Sequence, residues 1–166
     1  DTIQSTNSRA DIDGTDISMG AGDDTIRGFD DIQGNSNIDM GEGNDFIYQY
    51  DDIKGNAKVD MGEGDDTVLL GGDYSSSQTL DAGDGNDKVL VYNNVSGEIH
   101  MGAGDDWLYV AGSISDTLDG GSNGADYLTL GSYSYSDYLA DADNIRTQHI
   151  EDFEYIKFSD DNILDV

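Results

Sequence analysis

A turn rich in glycine and acid returns along this sequence at nearly constant intervals, and such an interval permits few folds. Aligned on their first residues, the copies read "MGAGDDTIR" from Met19, "MGEGNDFIY" from Met40, "MGEGDDTVL" from Met61, "AGDGNDKVL" from Ala82 and "MGAGDDWLY" from Met101. A degenerate copy, "GGSNGADYLT", starts at Gly120. The steps 40−19, 61−40 and 82−61 are each 21 residues, and 101−82 and 120−101 are each 19. Six copies of one pattern in one order are far beyond chance. The opening "DTIQ" matches the tail of a unit, so the chain is expected to begin in mid-repeat, as a monomeric module of a longer array.

Each turn is flanked by short runs that alternate apolar and polar residues, the period of a half-buried strand. Examples are "KVDM" before a turn and "DTVLL" after one. A middle segment carrying Ile32, Ile53, Val95 and Ile114 supplies a third short strand or the opposite turn. The fold expected is all-β: a parallel β-solenoid, or β-roll, with coils of about 20 residues stacked in register. Residues 1–130 form the solenoid and 131–166 a C-terminal capping segment of the same domain; helical periodicity is confined to 136–148. Alternation points Ile38, Met40, Val59, Met61, Leu80, Ala82, Ile99 and Met101 inward before the turns. After the turns, Ile26, Ile47, Val68, Val89, Leu108 and Leu128 point inward as well.

Stacking in register puts Asp24, Asp45, Asp66, Asp87, Asp106 and Asp126 in one column. Parallel strands lie about 4.8 Å apart. Two carboxylates at that distance repel by about 1 kcal/mol in water and about 3.5 kcal/mol at an effective dielectric of about 20. A column of six opposes folding unless cations separate the charges. Carboxylates with turn carbonyls are hard oxygen donors, which suit Ca²⁺ better than zinc or copper. Gly22, Gly43, Gly64, Gly85 and Gly104 let the turn close and aim its carbonyls inward. Several Ca²⁺ ions are therefore expected. Solvated acidic turns without metal are the plainer alternative.

The motif resembles the RTX repeat, G-G-x-G-x-D-x-apolar-x, of calcium-bound β-rolls. Its Asp matches Asp24, Asp45, Asp66, Asp87 and Asp106 directly, and Asp126 after one inserted residue. The first Gly is Met or Ala in five copies. The interval also differs from two linked nonapeptides, so calcium should line one edge of the coil. That one-sided pattern is similar to modules of giant RTX adhesins of Gram-negative bacteria. The segment "IEDFEYIKF" resembles the "IxxIExIxL" run that often closes such modules. The resemblance implies type I secretion, an extracellular place on the bacterial cell surface, and millimolar calcium. It also implies a ligand: a peptide or protein C-terminus held by a bound Ca²⁺, or a glycan. A further alternative is an accessory folding and secretion module of an extracellular enzyme such as an alginate epimerase.

Outward positions bear on the ligand. One flank gathers Leu69, Leu90, Trp107, Tyr109 and Tyr127, an apolar patch that needs covering or a partner. Either the C-terminal segment, with Tyr133, Tyr135, Tyr138, Phe153, Tyr155 and Phe158, folds back over it, or it is a ligand face, or both hold. Trp107, Tyr109 and Tyr127 are the candidate contacts. Asp119, Ser122 and Asn123 join them, because the turn "GGSNGAD" breaks the regular ligand set; the acidic "SDYLADADN" breaks it too. A second outward column of Asp39, Asp60, Asp81, His100 and Asp119 reads as a charged solvent face, or as a place for extra cations. The turn positions Ala21, Glu42, Glu63, Asp84 and Ala103 are too uneven for an ice face.

Composition narrows the remaining classes. A net charge of −29 excludes nucleic acid as partner. No run of 18 apolar residues is present, so membrane insertion is not expected. With His100 and His149 as the only histidines and no H-E-x-x-H or G-x-S-x-G, no enzymatic activity is expected. The absence of cysteine removes disulfides as staples.

Overall fold

The computed structural model describes residues 1–7, 9–140 and 149–166. They form a β-solenoid of about six turns, about 21 residues to the turn, built from three sheets of stacked strands. With strands numbered in chain order, sheet A runs β1 (Thr2–Gln4), β4 (Thr25–Phe29), β7 (Phe46–Gln49), β10 (Thr67–Leu70), β13 (Lys88–Val91), β15 (Trp107–Val110), β17 (Tyr127–Leu130), β19 (Tyr155–Phe158) and β20 (Ile163–Asp165). Sheet B, the expected middle strand, runs β2 (Ile12–Asp13), β5 (Ile32–Gln33), β8 (Ile53–Gly55) and β11 (Tyr74–Ser76). Val95 and Ile114 continue it as single bridges. Sheet C runs β3 (Asp16–Ser18), β6 (Asn37–Asp39), β9 (Lys58–Asp60), β12 (Leu80–Asp81), β14 (Ile99–His100), β16 (Leu118–Asp119) and β18 (Ile150–Glu151).

The register follows the repeat. Thr67 pairs with Phe46 on one side and Lys88 on the other, and Val68 with Ile47 and Val89. Every inward residue expected from alternation is buried, from Ile26 to Leu128 and from Ile38 to Met101. Each coil thus adds a layer of Ile, Val, Leu or Met to one continuous core. A strand of two to five residues cannot bury its apolar side chains alone; the layer above and the layer below do that.

The solenoid does not stop at residue 130. β18 pairs in parallel with β16, and β19 in parallel with β17, with Tyr127 opposite Tyr155. Only β20 reverses direction, pairing antiparallel with β19. Between β17 and β18 lies a short helix, α1 (Tyr135–Ala140). It sets Tyr135 and Tyr138 against Phe158, with ring centroids 5.4 and 5.1 Å apart. Tyr135, Tyr138 and Phe158 therefore close the end of the core, while Tyr155 joins the outer flank of sheet A beside Tyr127; that flank stays open, with Trp107 38% exposed and Tyr127 47%. Of the acidic segment "SDYLADADN", residues 141–144 lie outside the described residues. Among the described residues, no helix is long and apolar enough to cross a membrane.

Candidate metal ladder and ligand groove

The glycine turn joins sheet C to sheet A, and its backbone stacks on itself. The Glu63 amide donates to the Gly41 carbonyl (2.8 Å), and the Gly64 amide donates to the Asp84 carbonyl (2.7 Å). Gly64 has φ +133°, and a Cβ there would lie 2.1 Å from the Gly43 carbonyl oxygen. Both the left-handed backbone and the close approach require glycine. The carbonyls of Gly22, Gly43, Gly64, Gly85 and Gly104 accept no hydrogen bond among the described residues.

Just after the turn the aspartates line up as expected, but inside the protein. Asp24, Asp45, Asp66, Asp87, Asp106 and Asp126 are each only 1–2% exposed. One oxygen of each rung holds the preceding coil. Asp66 Oδ1 accepts from the Asp45 amide (2.7 Å), Asp87 Oδ1 from the Asp66 amide (2.7 Å) and Asp106 Oδ1 from the Asp87 amide (2.8 Å). Asp126 Oδ1 accepts from the Asp106 amide at 2.9 Å, so the inserted residue leaves this rung regular. Asn123, at φ +65°, absorbs the insertion. The next rung is Glu154, whose Oε2 accepts from the Asp126 amide (2.7 Å). Sequence reasoning missed Glu154 because 28 residues separate it from Asp126. Its place two residues before the inward Ile156, as Asp126 stands before Leu128, was the available signal.

The second oxygens are the unusual part. Oδ2 of Asp24, Asp45, Asp66, Asp87 and Asp106 is buried and has no hydrogen-bond partner. Burial pushes the carboxyls up: Asp66 to about 7, Asp87 to about 8 and Asp106 to about 6, with Asp45 and Asp126 also raised. Buried carboxylates without partners are costly, and a cation or a proton must relieve them. The unpartnered carboxylate oxygens of the ladder and the unpartnered carbonyls of the second glycines are all hard oxygen donors, the class of ligand that Ca²⁺ takes.

Two further columns border the coil. One position before the ladder, Asp23, Asn44, Asp65, Asn86 and Asp105 alternate, and each accepts from the amide one coil further on, at 2.9 Å. At the corner between sheets A and B, Asp31, Asp52 and Asp73 accept from the amides of Asp52, Asp73 and Asn94. Ligand atoms of Asp31, Asp51 and Asp52 all lie within 4.8 Å of one another. Lys54 Nζ sits 2.6 Å from Asp31 and 3.6 Å from Asp52, so a cation of the protein's own already serves that corner. This corner column was also missed, although "DD" before Ile32 and Ile53 marks it.

The ligand residues expected from the sequence divide between two places. Trp107, Tyr109 and Tyr127 share a groove of about 750 Å³ on the outer face of sheet A with Leu90, Tyr92, Thr129, Lys157 and Ile163; Asp105 and Asp106 border it. Trp107 Nε1 donates to Thr129 Oγ1 (3.0 Å), which fixes the indole across two strands. Tyr127 stacks on Tyr155, centroids 4.6 Å apart at 17°. Asp119 and Ser122 instead line a polar depression with Asp81 and His100 beside sheet C. Asp119 Oδ1 there accepts from the Gly121 amide (2.9 Å) and braces the turn. Asn123 is exposed at the turn itself.

Compared with known proteins, the chain matches no family model, no curated protein and no solved structure.

Proposed function

We propose that this chain is a Ca²⁺-dependent ligand-binding module of a bacterial surface adhesin of the RTX type, working outside the cell. The observation that carries the reading is the column of buried aspartates: Asp45, Asp66, Asp87, Asp106 and Asp126 each spend one oxygen on a neighbouring amide, and the second oxygen of the first four has no partner. Trp107, Tyr109 and Tyr127 then form the ligand face, since they line an open groove on the solenoid so stabilised. A peptide terminus caught directly by a ladder ion draws less support, because the rung at the groove, Asp106, is only 1% exposed.

The test has two parts. Circular dichroism and thermal melts in chelator and in millimolar Ca²⁺ should show a β fold that depends on the metal, as expected when a site exists only in the folded chain. A spectrum and melt indifferent to prolonged chelation would sink the ladder. Trp107→Ala should then keep the Ca²⁺-dependent melt and lose binding of whatever ligand the groove takes.

A further inference from the structure

Charge is segregated on this solenoid. The outer face of sheet C carries Asp16, Asp39, Asp60, Asp81, Asp119 and Glu151. From β1 to β19 the outer face of sheet A carries no carboxylate at all, on a chain with 36 acids and seven Lys and Arg. Three of those cations, Arg27, Lys88 and Lys157, project from this face. They stand on β4, β13 and β19, three strands apart each time, or about 14 Å at the parallel-strand spacing. Aromatics fill the intervals: Phe46 and Tyr48 in the first, Trp107, Tyr109 and Tyr127 in the second.

Resting on the reading of this face as the ligand site, we propose that it binds an extended anionic glycan, a chain of sugar rings bearing carboxylate or sulfate groups, laid across the strands. Arg27, Lys88 and Lys157 meet the anionic groups, and the aromatic rings between them stack on the sugar faces. The net charge of −29 does not prevent this. At physiological ionic strength the screening length is about 8 Å, so the acids of sheet C and the far corners are largely hidden from this face; the nearer ones, Asp105 and Asp106 at the turn and Asp165 on β20, stand at its margins. None of the three cations is locked away. Lys88 has no ion-pair partner among the described residues, Lys157 has only the exposed Asp161 (3.1 Å), and Arg27 bonds the neutral Gln4 (2.8 Å). An acidic peptide fits less well. The strand amides and carbonyls are paired within the sheet, so a peptide main chain would find no backbone partners on the face. Sugar hydroxyls need only the side chains of Thr, Lys and Arg.

The experiment uses Ca²⁺-loaded protein at fixed free calcium, titrated calorimetrically with four probes: a polyuronate, a sulfated polysaccharide, an uncharged unbranched glucan and polyglutamate. Binding is expected to the polyuronate, the sulfated chain or both, which tells the two anion sources apart, and to be about tenfold or more tighter than to the glucan or polyglutamate. The triple variant Arg27→Gln, Lys88→Gln, Lys157→Gln should lower that affinity about tenfold or more, and Trp107→Leu should lower it separately, both with unchanged Ca²⁺-dependent melts. Equal binding of polyglutamate would reduce the face to a charge patch. Equal binding of the glucan would make the cations idle, and no binding by any saccharide would overturn the proposal. Melts in calcium and chelator are read on the same samples. Glycan binding by a calcium-indifferent fold would sink the ladder and spare this inference; a calcium-dependent fold that binds no glycan would do the reverse.

Discussion

At the scale of single residues, each ladder aspartate does two jobs that substitution separates. Asp66→Asn keeps an oxygen for the Asp45 amide but removes the buried charge. In chelator the variant should melt higher than the parent, and in Ca²⁺ lower, each by about 2 kcal/mol or roughly 5 °C. Shifts of the same sign in both conditions would show that Asp66 does not hold a cation. Glycines divide in the same manner. Gly14 has φ +57° and nothing within 4 Å of a Cβ, whereas a Cβ on Gly64 meets backbone at 2.1 Å. Gly14→Ala should cost about 1 kcal/mol and Gly64→Ala about 3 or more, read from melts in calcium. The aspartate column was legible in the sequence because its interval is nearly constant. That Oδ1 is spent on the preceding coil was not legible, since spacing carries no hydrogen-bond direction.

At the scale of elements, the coils and their inward faces could be read from alternation, and the end of the solenoid could not. The residues between Leu130 and Ile150 interrupt the interval, so β18 and β19 are expected in a capping segment of the same domain, although they extend sheets C and A in parallel. Chain alternation shows which face a strand buries, but not which earlier strand it returns to. The ligand face was half legible for the same reason. Trp107, Tyr109 and Tyr127 share one period-two flank and fall together, while Asp119 and Ser122 were grouped with them by irregularity alone and stand beside sheet C. Glu154 ties the returning coil to Asp126. Glu154→Ala should therefore loosen the last coil first. Hydrogen exchange is expected to speed up in β17 and β19 while β7 and β10 keep their protection, since stacked coils depend on their nearest neighbours. Uniform loss along the chain would mean that the solenoid opens as one unit.

At the scale of the molecule, the buried column couples folding to pH as well as to metal. Carboxyls raised from 3.8 to about 7 in Asp66, about 8 in Asp87 and about 6 in Asp106 hold protons that the unfolded chain has already released. Folding of the metal-free chain is thus favoured below 3.8 and weakens as pH climbs through these raised values. Melts in chelator should fall steadily from acid to neutral pH. In millimolar Ca²⁺ the trend should flatten or reverse, because the metal takes the deprotonated form. Chelator melts that rise with pH over the same span would place the column's charges in contact with water.

The alternating column Asp23, Asn44, Asp65, Asn86, Asp105 has a bearing on how such a protein can lengthen. A rung that accepts from the next amide works with either residue, yet the alternation keeps charged rungs two coils apart, about 10 Å instead of about 5. The coil is the unit of structure, and in this one column the pair of coils is the unit of charge. Copying or deleting a single coil would set aspartate beside aspartate or asparagine beside asparagine. Along this column, lengthening by two coils at a time is the change that keeps the charges apart.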